Sequence, residues 1–174
     1  MADRNSGQKM IAVSNGAERE CYFLKQIFNC SGRNTFSVLM AEEVIKRGMK
    51  AAVLLTDKPE SYNMPSFFPT CVTEFFPEQG KKNMNFQKLV TYSTEYDRAD
   101  FTARNIRMLQ GRMATFEIVG VGIIGRVHLC TGSRQDIKSA LAAAATAITA
   151  GIPFAKIIGA LNGFACCENL VSDI

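Results

Sequence analysis

The segment Gln135 to Ala150 (QDIKSALAAAATAITA) constrains this chain most, because no other stretch has so strong an intrinsic preference for one conformation. Alanine loses no side-chain entropy on entering a helix, so the segment predicts a helix, ended by Gly151 and Pro153. The longest apolar stretch, Ser139 to Ile158, includes the same two breakers and so predicts no membrane span.

The flanking segments read mainly as strands. Lys88 to Ser93 (KLVTYS), Thr115 to Val121 and Arg126 to Cys130 are strand-like, and Phe154 to Ala160 reads as a last strand. Arg98 to Arg112 reads as a helix with Phe101, Ile106 and Leu109 inward. The second half is therefore expected to run strand-helix-strand-strand-helix-strand.

In the first half, Met10 to Ser14 predicts a strand, and Cys21 to Phe28 fits either a strand or a helix. Phe36, Leu39, Met40, Val44 and Ile45 follow the helical period opposite Glu42, Glu43, Lys46 and Arg47. This predicts an amphipathic helix over 36–47, closed by Gly48, and Ala51 to Thr56 predicts a buried strand. Residues 57–85 hold four of the five prolines and read as a long connection with a short strand near Cys71 to Phe76. The expected class is α+β: a two-layer sandwich of a mixed sheet with helices on one face. The expected organisation is a frayed end at 1–8, a first half at 9–85 and a second half at 86–174, with the two halves expected to be related.

A 47% apolar content over 174 residues excludes a disordered chain, and a net charge of +4 is a mild bias. The six cysteines show no CxxC spacing, and MADRNSGQKM holds no apolar core of a secretion signal. Reduced thiols, no metal site and a cytoplasmic or nuclear location are expected; the adjacent Cys166 and Cys167 are the pair suited to redox or ligand chemistry.

Charge placement carries the functional expectation. Cys30-Ser-Gly-Arg33 and Cys130-Thr-Gly-Ser-Arg134 form two similar boxes, about one hundred residues apart. Each is read as a strand end, a tight turn, an arginine and a helix start, an arrangement suited to an anion. Lys46, Arg47 and Lys50 close the first helix, Lys81 and Lys82 lie in the long connection, and Lys138 follows the second box. Tyr62, Phe67, Phe68, Phe75 and Phe76 suit either base stacking or a small core.

Ile27-Phe-Asn-Cys-Ser-Gly32-Arg33, with Glu43-Val-Ile-Lys-Arg47 ten residues on, resembles the signature of the Alba superfamily. The resemblance implies a small, oligomeric, non-enzymatic nucleic-acid-binding protein of the kind that includes ribonuclease P subunits, with RNA favoured as partner. It places Arg33 and a basic loop at Lys81 and Lys82 near the nucleic acid. The expected binding set is Arg33, Lys46, Arg47, Lys50, Lys81, Lys82, Arg134 and Lys138.

Thr115 to Ala145, with Thr131-Gly132 before a helix carrying Ile137 and Ala140-Leu141, resembles a bacterial microcompartment shell domain. That likeness implies self-assembly into hexagonal sheets, with Gly120 to Gly125 as a pore loop. A third alternative is a small-molecule-binding enzyme. Its inventory is thin: the lone His128 reads as structural, Gly120-Val-Gly-Ile-Ile-Gly125 is not followed by the helix that a dinucleotide site needs, and Glu95, Asp97, Asp100 and Glu117 are the carboxylates that could meet. No catalytic residue and no cofactor is predicted.

Overall fold

A computed structural model describes residues 9–31, 36–78, 83–131 and 133–163. The elements are β1 (Lys9–Val13), α1 (Glu18–Cys30), β2 (Phe36–Met40), α2 (Ala41–Lys46), β3 (Val53–Leu55), a 3-10 turn (Pro59–Tyr62), β4 (Thr70–Glu74) and β5 (Lys88–Ser93). They continue with β6 (Phe101–Leu109), β7 (Met113–Gly120), β8 (Ile123–Cys130), α3 (Arg134–Thr149) and α4 (Phe154–Gly163). The strands form one eight-stranded sheet in the order β2-β1-β3-β4-β5-β6-β7-β8. Pairing is parallel from β2 through β6 and antiparallel at β6-β7-β8. The α+β class with a mixed sheet is therefore the observed one.

The alanine-rich helix is the centre of the molecule. Ala140, Ala142 to Ala145 and Ala147 are fully buried, because α3 touches β3 to β6 on one side and α1 and α4 on the other. Methyl side chains allow neighbours to approach the helix backbone from every direction, so the segment is apolar all round. Ile11, Val13, Val53, Leu55, Val72, Phe116, Ile118, Val127 and Leu129 supply the sheet's half of this core. On the opposite face α2 and the connection after β3 build a smaller core from Ala41, Val44, Leu54, Cys71 and the fully buried Phe68. Tyr62, Phe67 and Phe68 thus form a small core, with the Tyr62 and Phe68 rings edge to face at 6.1 Å.

Three segments differ from the sequence expectation. Residues 98–112 hold the strand β6, not a helix, because a bulge between Arg104 and Arg107, with Asn105 at φ 53°, breaks the two-residue alternation and imitates a helical spacing. Phe154 to Ala160 belongs to the helix α4: Ile157, Ala160 and Leu161 are its buried positions, three and four residues apart. Residues 36–40 form the strand β2, leaving only 41–46 helical, since this segment pairs along the whole of β1 and Phe36 stacks on Phe28 at 4.8 Å. The second half accordingly runs through four strands before two helices.

The two boxes are not structural repeats. Cys30 ends a helix, whereas Cys130 ends a strand. The glycine-rich stretch at 120–125 is the tight hairpin between β7 and β8, with Gly122 at φ 71°. Gly125 has a packing role: a Cβ there would lie 2.8 Å from the Phe154 ring and 2.9 Å from Ile158, so α4 rests directly on the β8 backbone.

Candidate functional site

The first two crossovers leave β1 and β2 in opposite directions, and α1 and α2 lie on opposite faces, as right-handed connections require. The chain therefore parts at the C-terminal ends of β1 and β3, opening the crevice in which open α/β sheets hold their ligands. Here it is a cavity of about 150 Å³ lined by Gly16, Ala17, Glu20, Leu55, Thr56, Asp57, Glu74, Tyr92, Gln135 and Lys138. A second cavity of about 180 Å³ shares Glu74, Gln135 and Lys138 with it and adds Thr94, Glu95, Ile106 and Arg134.

Each polar group is delivered by an element end. Glu74 ends β4, Asp57 follows β3, and Glu20 lies in the first turn of α1, where its Oε1 accepts from the Ser139 hydroxyl at 2.8 Å. The first turn of α3 is capped by Ser133, whose Oγ accepts the Gln135 N–H at 3.1 Å. One turn on, Lys138 Nζ meets Glu74 Oε2 at 3.1 Å across the crevice. The buried Tyr92 phenol is driven far up from its ordinary pKa, first by burial and then by Glu74, Glu20 and Asp57. It remains a proton donor throughout the physiological range, facing carboxylates that outnumber the cations.

The predicted binding set is divided. Arg134 and Lys138 sit at the crevice, whereas Lys46 and Lys50 lie, exposed, around the connection that enters β3 at the other end of the strands. Arg47 is tied to Glu43 at 2.6 Å. Arg33, Lys81, Lys82, Cys166 and Cys167 lie outside the described residues. In the second box Asp136 accepts from Thr131 Oγ1 at 2.5 Å and pairs with Arg19, which places a carboxylate beside the first turn of α3.

Three of the four carboxylates singled out in the sequence have separate partners, and the fourth, Glu95, lines the second cavity. Asp100 bonds Thr91, Asp97 pairs with Arg104 at 3.4 Å, and Glu117 pairs with Arg126 at 2.8 Å. Cys21, Cys30, Cys71 and Cys130 are free thiols, and the described residues contain no group of three or more His, Cys, Asp or Glu arranged to hold a metal ion. Sequence reasoning missed Glu20, Asp57, Glu74, Tyr92 and Gln135. The available signal was an acidic residue immediately after each of two short apolar runs, AAVLLT and CVT.

The sequence matches no family model and no curated protein. In fold the chain is similar to solved peptide ligases of the Mur type. MurF from Acinetobacter baumannii superposes with a TM-score of 0.69 at 14% identity over 92% of this chain and 46% of that one. A pseudomurein peptide ligase type C from Methanothermus fervidus gives 0.62 at 16% identity over 90% and 49%. The UDP-N-acetylmuramate:L-alanyl-gamma-D-glutamyl-meso-diaminopimelate ligase from Neisseria meningitides gives 0.67 at 14% over 93% and 68%. The chain spans about half the length of the first two.

These likenesses correct the Alba and shell-domain resemblances. The stretch from Ile27 that carried the Alba signature ends α1 instead of a strand, and the shell order of elements is absent from the second half. The RNA-binding reading and its nucleic-acid partner fall with them: the neighbours are ligases, and the described basic residues of that set are divided, with Lys46 and Lys50 at one end of the strands and Arg134 and Lys138 at the other. Among the described residues no helix is long and apolar enough to cross a membrane, and nothing supports a nuclear location.

Proposed function

We propose that this chain is a cytoplasmic ligand-binding domain of the peptide-ligase type, whose crevice holds an amino acid or short peptide as its zwitterion. The observation that carries the reading is the opposed charge across the two adjoining cavities at the strand C-termini, which share Glu74 and Lys138. Glu20, Asp57 and Glu74 suit an ammonium group, while Lys138 and Arg134 suit a carboxylate. The name of the Neisseria neighbour points the same way, since it is a ligase named for alanyl, glutamyl and diaminopimelate units.

Joining a carboxylate to an amine in water is uphill, so a ligase must activate the carboxylate, commonly with a nucleoside triphosphate. The β1–α1 turn, Ser14-Asn15-Gly16-Ala17, has no lysine, and the pattern G-x-x-x-x-G-K-[ST] occurs nowhere in the chain. Glu18 and Glu20 already place negative charge beside the helix amides that would otherwise attract phosphate. On this reading the domain orients the amino component while activation takes place elsewhere, and its contribution to rate is positional.

Calorimetric titration with L-alanine, L-glutamate, meso-diaminopimelate and a magnesium nucleoside triphosphate tests this. At least one amino acid should bind, Glu74→Gln and Lys138→Met should each weaken it by about 10-fold, and the triphosphate should give no heat. Silence from every amino acid, or triphosphate binding that the same changes abolish, overturns the reading.

A further inference from the structure

On β7 and β8, Phe116, Val127 and Leu129 point into the main core, so Thr115, Glu117, Arg126 and His128 point out of the opposite face. Register brings Arg107, Thr115 and His128 into one row across β6, β7 and β8, with neighbouring side chains about 5 Å apart. They line a cavity of about 250 Å³ together with Asn105, Glu117 and Arg126. It lies outside the crevice described above and shares no residue with it.

Along the next row, Glu117 is fully engaged. Its Oε1 accepts from Arg126 at 2.8 Å and its Oε2 from Asn105 Nδ2 at 2.6 Å. These two bonds, with Arg107 nearby, hold the carboxyl below its ordinary pKa, so it is ionised and internally neutralised. The bulge makes this possible by turning Asn105 toward Glu117. Arg104, the neighbouring cation of β6, is paired with Asp97.

Arg107 is different. Among the described residues its guanidinium has no hydrogen-bonded carboxylate, and the Thr115 hydroxyl and the His128 ring beside it have no side-chain partner. We infer that this row is a binding site for a small dianion, a phosphate or dicarboxylate group. The Arg107 guanidinium forms the charged contact, the Thr115 hydroxyl and His128 ring donate to the remaining oxygens, and Arg126 adds positive potential from the adjacent row. The site is open to solvent, so affinity is modest, with a Kd on the order of 1 mM. Of the charged groups facing His128, Arg107, Arg126 and Glu117 belong to the sheet; α4 adds the neutral Asn162, whose side chain accepts the His128 backbone N–H.

His128 is the one histidine in the sequence, and its ring resonances report on the site without assignment of other residues. Titrating the full chain with inorganic phosphate and, separately, succinate at constant ionic strength should move these resonances saturably with at least one anion, whereas chloride should not. The anion that saturates at lower concentration identifies the headgroup preferred. Arg107→Ala should raise that Kd about 5-fold or more, Thr115→Val should raise it less, and Lys46→Ala, far from the row, should leave it unchanged. Far-UV circular dichroism of each variant confirms folding. Resonances that do not move, shifts equal to those in chloride, or an Arg107→Ala variant that binds like the parent would each overturn the assignment.

Discussion

Asn162, near the end of α4, completes the free edge of β8: its Oδ1 accepts the His128 N–H at 2.8 Å and its Nδ2 reaches the Arg126 carbonyl at 3.5 Å. One side chain thus takes the place of a ninth strand at the position where this sheet would otherwise be open to another edge. Asn162→Ala is expected to cost about 1 kcal/mol. It should also speed hydrogen exchange at the His128 amide and promote self-association, read by exchange mass spectrometry and light scattering. Unchanged exchange at that amide would refute it.

The alanines of α3 are there for their size. Ala143→Leu keeps helix propensity nearly constant, so any loss of stability reports packing alone. With Ala143 fully buried, the added carbons should destabilise by about 1–3 kcal/mol in urea unfolding. A change below about 0.5 kcal/mol would show that the helix has free space around it.

A glycine governs how closely α4 approaches the sheet. Gly125→Ala should push Phe154 and Ile158 off β8 and destabilise by about 1–3 kcal/mol. Gly159→Ala, where a Cβ would meet nothing within 4 Å, should not destabilise. The contrast between the two, measured in the same denaturant titration, is the check.

Alkaline pH should destabilise the chain through Cys71. Burial pushes this thiol from 9.0 to about 12, so the folded state holds its proton more tightly than the unfolded state does. The contribution is fully present below the unfolded value and is lost as pH rises from about 9 toward about 12. Between about pH 8 and about pH 10 the parent should lose about 1.4 kcal/mol that Cys71→Ala does not lose, whatever that variant's cavity costs at neutral pH. Parallel losses in the two proteins would exclude the thiol as the cause.

The elements legible in the residues were those whose local preference and tertiary role agree. The alanine run is helical both alone and in the core, and KLVTYS and AAVLLT are strands in either context. β6 was misread because its bulge is an event between two strands, visible only once Glu117 lies opposite Arg104. Phe154 to Ala160 was misread because a short apolar run does not declare its period until its packing partner is known. The crevice was illegible for a similar reason: Glu20, Asp57, Glu74 and Lys138 are brought together only by the order of the parallel strands. Of the basic residues that suggested a phosphate partner, the fold sends Lys46 and Lys50 to one end of the strands and Arg134 and Lys138 to the other.

Lys9 Nζ donates to the carbonyl of Ala150 at 3.2 Å, across 141 positions of sequence. The first strand is therefore finished by the end of the helix that fills the sheet, and on the ribosome β1 to β8 emerge before α3 and α4, which cover β3 to β6 and β8. Until then β3 to β6 expose the apolar face that α3 covers, a state open to aggregation and slow to resolve because its contacts are long-range. Yield during synthesis should thus depend on how quickly residues 134–149 follow the strands out of the tunnel, a demand made by the order of the elements and not by the stability of the finished fold.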